Sequence, residues 1–500
     1  MRIDKSLINT PDVKIGIVGV SRDCFPRELT QRRMKCLVEE CRRLKLPIEP
    51  CSVIIETEKD SMAAVKEMAK KGVDAVAVYL GNFGPEGPLT IFAEKLGKPF
   101  MLCAAAEESR DTLIEGRGDA YCGMLNASLN CGLRNLHPYI PAVPVGSPSQ
   151  VAHMILGFVS IARVVVGVKN LKAFTFGPRP QDFYACNAPI KPLYNLGIEV
   201  MENSELDMLM QFKSVAGRKK EITAIAKDMA RELGAGNKYP AKLIELAQFE
   251  LALMTFFENN LGSRQFGVFA NKCWPSFEQG FGFVPCYVNS RLTGHGIPVA
   301  CEVDIYGAVS EYMCQLASMT PVTLLDINNT VPADLPIADL CGVERRDLFM
   351  GFHCGNTPSC CLCEGCGMKY QLIMHRLMES GKKPNITCGT LEGTLKPGPT
   401  TIFRLQGTAD CQLRSYVAEG AILDADPASF GGIGIFAIRE MARFYRHVML
   451  EKQFPHHSAV AFEHVGKILF DATRLLDIAD ISAPRAKGNL YSGENPFGIL

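Results

Sequence analysis

The stretch Pro298–Asn329, PVACEVDIYGAVSEYMCQLASMTPVTLLDINN, contains the pattern that decides the fold. Apolar residues recur at three- and four-residue steps, which predicts a helix over Asp304–Ser318. The apolar run Val322–Leu325 predicts a buried strand directly after it. Glu302 precedes the helix and Asp326 follows the strand, so both acids are expected where elements end. The ends of helices and strands are where α/β proteins usually carry their catalytic and binding residues.

Two later segments add histidines to these acids. His353 lies in GFHCGNTP, and His456 and His457 lie in FPHHSAV. Two carboxylates with one or two imidazoles suit a divalent metal such as Mn²⁺, with coordination positions left for a substrate. Spacing alone leaves another interpretation open, in which Glu302 is a helix cap and Asp326 an ordinary turn residue.

The chain from Ala300 onwards resembles the superfamily of L-fucose and L-arabinose isomerases, and most closely the L-fucose isomerase branch. The motifs that carry the resemblance are CEVDIYGA (Cys301–Ala308), LLDINN (Leu324–Asn329), FHCGNTPSCC (Phe352–Cys361), MKYQLIMHRLM (Met368–Met378), TLEGTLKPG (Thr390–Gly398), SFGGIGIFAI (Ser429–Ile438) and FPHHSAVAF (Phe454–Phe462). In that branch a Glu and an Asp 24 positions apart bind the metal, and here 326 − 302 = 24. The 300 N-terminal residues resemble the family mainly in their overall organisation, not in particular motifs.

The resemblance implies a metal-dependent aldose–ketose isomerase that works through an ene-diol. Glu302 and Asp326 are then both metal ligands and the groups that move the proton between C1 and C2. His457 is the first choice for the histidine ligand, and His353 is a second ligand or a substrate contact. The expected substrate is a free pentose or 6-deoxyhexose of the L-fucose, D-arabinose or L-arabinose type. Asn328, Asn356 and Arg404 are further hydrogen-bond donors that a sugar pocket can use.

Length and composition fit a large globular protein. The 500 residues suggest about three domains, and 47% hydrophobic with 21% charged residues is enough for a full core. The formal net charge of zero gives no electrostatic reason to expect binding to nucleic acid or to an anionic membrane. The apolar run Val151–Val168 contains His153 and Arg163, so we expect a buried helix there. The start has no cleavable signal pattern, and we expect a cytoplasmic protein.

We expect an α/β fold of two Rossmann-like, doubly wound domains followed by a β-rich C-terminal domain, a small barrel. The boundaries are 1–165, 166–347 and 348–500. Strands and helices alternate in the first two regions, which predicts parallel sheets. GIVGVSR lacks the spacing of a dinucleotide fingerprint. In the third region TLKPGPTTIFRLQ predicts a hairpin with Pro-Gly at its turn.

The loop Gly81–Pro88 follows a strand, so it lies at a carboxyl edge where ligands bind. In the isomerase family the matching region reaches a neighbouring subunit's active site, which makes Asn82, Phe83 and Glu86 candidate substrate contacts. A plain Gly/Pro-rich turn remains the alternative for each of them. The resemblance also implies a homo-oligomer, a hexamer.

Other interpretations stay open at this point. A carbohydrate-binding protein without activity can share the fold, although it does not need two proton-moving carboxylates at this spacing. A metal hydrolase or lyase acting on a sugar derivative is a second rival. The cysteines Cys360, Cys361, Cys363 and Cys366 include C-x₂-C spacings that can hold a metal, but the pairs overlap.

Overall fold

The computed structural model describes residues 9–186, 188–384 and 386–497. These residues form two compact units. The smaller unit holds Pro11–Val166 and Asp471–Asp477, and the larger unit holds Gly167–Phe470 and residues 478–497, together with Asn9 and Thr10.

The smaller unit is built on a five-stranded parallel sheet in the order β2-β1-β3-β4-β5. Its central strands are continuous apolar runs that are buried along their whole length, as expected for parallel strands covered on both faces. Its elements are β1 (Ile15–Val20), α1 (Arg27–Arg43), β2 (Ile48–Pro50), α2 (Glu58–Lys71), β3 (Ala75–Leu80), α3 (Glu86–Leu96), β4 (Phe100–Ala105), α4 (Ala120–Leu133), β5 (Val145–Gly146) and α5 (Pro148–Lys169).

Helix α5 corresponds to the apolar run seen in the sequence. By length and composition it is the one helix of the described residues that can cross a membrane, and 67% of its most apolar window is buried inside the protein. That degree of burial is also found in core helices.

The larger unit begins with a second parallel sheet in the order β7-β6-β8-β9. An aromatic core that includes Phe174, Phe249 and Phe269 packs between this sheet and its helices. The elements are β6 (Leu171–Phe176), α6 (Lys191–Asn195), β7 (Glu199–Asn203), α7 (Glu205–Ser214), α8 (Lys219–Leu233), α9 (Leu243–Asn260), β8 (Phe266–Ala270), α10 (Phe277–Phe281), α11 (Cys286–Gly294), β9 (Val299–Ala300) and α12 (Ile305–Ser318).

A nine-stranded mixed sheet completes the larger unit. Six of its strands pair in a closed circuit, β16-β11-β10-β17-β14-β15 and back to β16. The elements are β10 (Val322–Asn329), β11 (Leu348–His353), β12 (Gly367–Tyr370), β13 (Cys388–Thr394), β14 (Gly398–Gly407), β15 (Leu413–Ile422), β16 (Gly432–Ala437), α13 (Met441–Phe444, continued by a π-helical turn, Tyr445–Leu450), β17 (His457–Ala461), α14 (Gly466–Leu475) and β18 (Asp480–Ser482).

The hairpin predicted across Pro397-Gly398 is wrong. Strand β13 pairs with β12 and β16, whereas β14 pairs with β15 and β17. The local sequence identifies both strands and the turn residues, but the partner of each strand depends on residues far away in the chain. The actual hairpin is β14–β15, with Gly398 opposite Ile422.

The prediction of an α/β protein with parallel sheets is confirmed, and a large mixed sheet lies towards the C-terminus. The finer assignment, two Rossmann-like doubly wound domains and a small barrel, stays a prediction. Strand β10, which ends the predicted second region, lies in the C-terminal sheet between β11 and β17. The division into domains 1–165, 166–347 and 348–500 stays a prediction.

Candidate metal and active site

Three adjacent strands bring Asp326 and two histidines to one place. Asp326 on β10 lies opposite His457 on β17 and opposite Phe352 on β11. Strand β11 ends at His353, one residue further on. The imidazole rings of His353 and His457 stack with their centroids 5.9 Å apart. Sheet register therefore joins residues that are widely separated in sequence.

Glu302 reaches the same place from the turn between β9 and α12. Glu302 and Val303 both adopt left-handed backbone conformations, with φ of 61° and 59°. Such angles are uncommon for side chains with a Cβ, and for a β-branched valine they are strained. The Val303 N–H donates to the Asn271 carbonyl at 3.0 Å, which holds the turn in place. Strain of this kind is often found at functional sites.

The side chains of Glu302, Asp326, His456 and His457 converge. His457 Nε2 lies 3.4 Å from Asp326 Oδ1 and 3.5 Å from Glu302 Oε2. His456 Nε2 lies 3.6 and 3.7 Å from the same two oxygens. The side chains of Glu302 and Asp326 are 17% and 21% exposed, so the carboxylates remain within reach of a small molecule.

Asp304 orients His457. Its Oδ2 accepts a hydrogen bond from His457 Nδ1 at 2.8 Å, and its Oδ1 accepts from the Gly307 N–H at 2.9 Å and so caps helix α12. A Cβ on Gly307 would lie 2.4 Å from Asp304 Oδ2, so this close approach requires glycine. One carboxylate thus begins the helix and aims the imidazole at Glu302 and Asp326.

Arg404 completes this buried arrangement. It donates to Asp304 Oδ2 at 2.5 Å and to Oδ1 at 2.9 Å, and also to Gln406 Oε1 at 2.6 Å. The side chains of Arg404 and Asp304 are 1% and 2% exposed. The suggestion that Arg404 donates to a sugar is therefore wrong, because its guanidinium is already engaged by a buried carboxylate.

The electrostatic environment follows from this network. Burial raises the pKa of Asp304, but the Arg404 charge and the bond from His457 prevail and hold it well below its usual range. Burial also lowers the pKa of His457, yet the bond to Asp304 and the nearby Cys186 and Glu302 raise it well above its usual value. In the metal-free protein His457 is therefore a cation beside an anionic Asp304.

Burial acts in opposite directions on the pKa values of Glu302 and His353. Burial raises the pKa of Glu302, but contact with His456 and the nearby imidazole charges give a net lowering, so this carboxyl is ionised at neutral pH. Burial is the largest cause of the lowered pKa of His353. Neutral imidazole and carboxylate are the forms that bind a divalent metal.

The loop after β6 closes one side of the site. Cys186 Sγ lies 3.6 Å from Glu302 Oε2 and 3.8 Å from His457 Nδ1. Burial raises the pKa of the Cys186 thiol to about 12, so it stays protonated. The Phe183 ring stands perpendicular to that of His456, with the centroids 5.4 Å apart.

These side chains fit a divalent metal. His457 Nε2 and His353 Nδ1 are buried and make no hydrogen bond in the described part of the chain. Groups of side chains that can hold an ion are Glu302 with His456 and His457, Asp326 with His353 and His457, and Cys186 with Asp304 and His457. Among the described residues every such group contains His457, and none contains Cys360, Cys361, Cys363 or Cys366.

The three predicted substrate contacts lie in the smaller unit, where Arg22 touches all of them. The Arg22 N–H donates to Asn82 Oδ1 at 2.9 Å, and its guanidinium lies 4.7 Å from the Phe83 ring centroid. The same guanidinium forms an ion pair with Glu86. The assignment of Asn82, Phe83 and Glu86 to substrate binding stays a prediction.

Sequence reasoning missed several residues of the site. The sequence favours His457 and His353 as ligands, yet His456 also lies beside both carboxylates. The sequence pattern marks Asp304 only as the start of a helix and does not indicate a role for Cys186. The DxxG pattern of Asp304 and Gly307 is the one local signal for a cap. Nothing in the sequence near Cys186 indicates its distant partners.

Comparisons with known proteins match two parts of this chain to isomerase families. The family model described as fucose/sulfoquinovose isomerase, N-terminal domain, matches residues 16–169, and the model described as L-fucose isomerase, C-terminal domain, matches residues 351–482. A sulfoquinovose isomerase of Priestia megaterium is 24% identical over 71% of this chain and 73% of that protein. One from Alkalicoccus urumqiensis is 26% identical over 69% of this chain and 72% of that protein.

A solved structure, that of a galactofuranose binding protein, matches 57% of this chain and 81% of that chain. Its TM-score of 0.16 and 10% identity are too low to support an argument.

The matched models and relatives define an aldose–ketose isomerase, an enzyme that moves a sugar's carbonyl group between neighbouring carbons. Within that class, the chain belongs to the L-fucose isomerase family. This family is metal-dependent, and the side-chain groups around His457 provide places where a metal can bind.

Proposed function

We propose that this protein isomerises a free monosaccharide through an ene-diol, with Glu302 and Asp326 as the proton-transferring groups and a divalent metal, Mn²⁺ in the first instance, as cofactor. The observation that carries the proposal is the convergence of these two carboxylates on His457 Nε2, at 3.5 and 3.4 Å. Mixed carboxylate and imidazole ligands suit such a metal.

Glu302, Asp326 and His457 would hold the metal, with His353 as a further ligand. When bound, the metal supplies Lewis-acid polarisation of the sugar's carbonyl and adjacent hydroxyl oxygens. His456 was not assigned as a ligand from the sequence, but its distances to both carboxylates make it an alternative to His353.

The carboxylates carry the proton transfers. In the aldose, one removes the proton from C2 and the other donates a proton to the C1 oxygen, which gives the ene-diol. Proton delivery to C1 and removal from the C2 hydroxyl then give the ketose. This division requires carboxylates with unlike environments. Cys186 lies 3.6 Å from Glu302, whereas a thiol contact of this kind is not found at Asp326 among the described residues.

Two substrate classes are supported by different observations. The motif resemblance favours a neutral pentose or 6-deoxyhexose of the L-fucose, D-arabinose or L-arabinose type. The relatives named above are sulfoquinovose isomerases, which favours a hexose with a sulfonate at C6. Both classes have the free aldose end that the proposed mechanism needs.

A homo-oligomer, a hexamer, is proposed as the working form. Helix α4 supports it, because four large apolar side chains at four-residue spacing lie on one exposed stripe, each between 65% and 76% exposed. Their residues are Tyr121, Leu125, Leu129 and Leu133. Exposed apolar patches of this kind mark interaction surfaces. Asn82, Phe83 and Glu86, in the same unit, would then contact substrate across the subunit interface.

A cytoplasmic location is also proposed. All twenty cysteines are free thiols, and this usage is typical of a reducing compartment.

The test is proton exchange during turnover. The purified protein is stripped with chelator, reloaded with Mn²⁺ and incubated in D₂O with L-fucose, D-arabinose, L-arabinose, D-galactose and 6-deoxy-6-sulfoglucose. Glu302→Gln and Asp326→Asn run beside it, and Glu344→Gln is the matched control, since Glu344 is 61% exposed. We expect metal-dependent ketose with deuterium at C1, and a loss of about 10²- to 10⁴-fold in kcat in each site variant only.

Undiminished activity in both site variants would show that other groups move the proton. Absence of turnover for every sugar, with tight sugar binding retained, would support the carbohydrate-binding alternative instead.

A further inference from the structure

The loop that follows β6, Gly177–Cys186, is anchored at its start. The Gly177 N–H donates to the Asn203 carbonyl at 2.6 Å. Arg179 follows Pro178 and precedes Pro180. A proline restricts the residue before it to extended conformations and has a fixed φ of its own. The backbone that carries Arg179 is therefore held with little freedom.

The other end of this loop reaches the metal and active site. Phe183 packs against His456, and Cys186 Sγ lies 3.6 Å from Glu302 Oε2. Tyr184 follows Phe183, and the Arg179 guanidinium lies over its ring, 4.6 Å from the centroid. A cation is thus stacked on a loop residue whose neighbours touch the proposed catalytic groups.

Arg179 lacks an anionic partner. Its Nε is buried without a hydrogen bond, and within the described ranges no carboxylate lies within the 4.0 Å of an ion pair. Arg264, Arg345 and Arg414 also have a buried, unbonded Nε, but each of them donates through another nitrogen. Arg179 differs from these three, because its guanidinium forms no hydrogen bond to any residue that the structure describes and is stacked on the Tyr184 ring instead. Arg179 as a whole is half-buried, and it is the buried Nε, a donor without a partner, that costs free energy and favours an acceptor.

We infer that Arg179 binds an anionic substituent, a sulfonate or a phosphate, at the end of the sugar remote from C1 and C2. A guanidinium presents a planar fork of donors that matches tetrahedral oxyanions, and stacking on Tyr184 fixes its plane. The inference rests on the proposed isomerase function. It selects the anionic member of the two substrate classes, since a neutral 6-deoxy sugar offers no anion to this guanidinium.

The experiment compares three sugars that differ only at C6: 6-deoxy-6-sulfoglucose, glucose 6-phosphate and 6-deoxyglucose. Wild type, Arg179→Gln and Arg179→Lys are assayed, with Arg231→Gln as the control, because Arg231 is 79% exposed and pairs only with surface Asp228. We expect Arg179→Gln to lower kcat/KM for the preferred anionic sugar by about 10- to 100-fold, mainly through KM. Turnover of 6-deoxyglucose, which has no anion at C6, should fall much less than turnover of the anionic sugar, and Arg179→Lys should retain part of the preference. The anionic sugar affected identifies sulfonate or phosphate as the ligand.

Equal losses on all three sugars would overturn the inference, because they would indicate a structural role. So would a wild type that turns over neutral sugars without preferring an anionic one, and in that case the isomerase function would stand. If no sugar is turned over, the proposed function is wrong. The inference about Arg179 is then tested separately, by measuring sugar binding with isothermal titration calorimetry. Binding of the sulfonated or phosphorylated sugar that is lost in Arg179→Gln would support it, and equal or absent binding would overturn it.

Discussion

His457 Nδ1 donates to Asp304 Oδ2 at 2.8 Å, and this bond determines which imidazole nitrogen faces Glu302 and Asp326. Asp304 stays ionised because its pKa lies well below the usual range, so it acts as an acceptor. Nδ1 therefore carries a proton, and Nε2 is the nitrogen left for a metal. Partners of this kind fix the orientation of a ligating histidine and raise its basicity.

Asp304→Asn should weaken metal binding. Asparagine has one acceptor oxygen for the donors of His457, Gly307 and Arg404 that two carboxylate oxygens now satisfy, and it carries no negative charge, so the imidazole is held less firmly and becomes less basic. We expect metal affinity to fall by about 10- to 100-fold and the free energy of unfolding to fall by about 3–5 kcal/mol, because Arg404 becomes an unpaired buried charge. Competition with a chromophoric chelator and denaturant unfolding measure the two effects.

The double variant Asp304→Asn/Arg404→Met separates these effects. It removes both charges of the buried pair, so it should recover much of the lost stability. Metal affinity should remain low, since His457 still lacks the anionic partner that raises its basicity. Recovery of metal affinity together with stability would show that Asp304 acts only on folding.

Metal binding should strengthen as the pH rises. The raised pKa of His457 means that Nε2 holds a proton at neutral pH in the metal-free protein, and a metal must displace it. Apparent affinity should increase by up to about tenfold per pH unit between about pH 6 and 8, and level off once the pKa of His457 is passed. Chelator competition across this range measures it, and a flat profile would contradict the prediction.

Glu311→Gln should stabilise the protein at neutral and alkaline pH. Glu311 lies in the buried interior of α12, and neither carboxyl oxygen has a hydrogen bond to a described residue. Burial raises its pKa to about 8, so the folded state binds a proton that the unfolded state releases above about pH 4.5. Wild type should therefore lose about 1.4 kcal/mol per pH unit from this group up to its folded pKa. Thermal unfolding of both proteins near pH 5 and pH 8 checks this, and a difference in Tm that does not grow with pH would contradict it.

Leu129→Lys should weaken self-association. Leu129 lies at the centre of the exposed apolar stripe on α4, where a buried lysine charge would be costly. Light scattering should show smaller species in the variant. Leu206→Lys is the control, because Leu206 is 64% exposed but lies outside the stripe. An unchanged mass for Leu129→Lys would show that this stripe is not the interface.

Local pattern was enough to predict many elements. Helix α12 begins one residue after the predicted start and ends at the predicted residue, and the apolar run Val322–Leu325 forms the first half of strand β10. These elements are visible because side-chain periodicity and burial are properties of neighbouring residues. The hairpin predicted across Pro397-Gly398 is wrong because the pairing of strands depends on segments that are distant in the sequence.

The sequence by itself determined the residue types of the site, the spacing of Glu302 and Asp326, and the order of strands and helices that carries them. Only the tertiary structure decided which groups meet. The β10–β17 register places Asp326 opposite His457, and the packing of α12 against β14 brings Arg404 to Asp304 across 100 positions of sequence. That Arg179 has no anionic partner in the described part of the chain is likewise visible only in three dimensions. Contacts between residues far apart in the chain depend on how whole elements pack, and no local pattern encodes that packing.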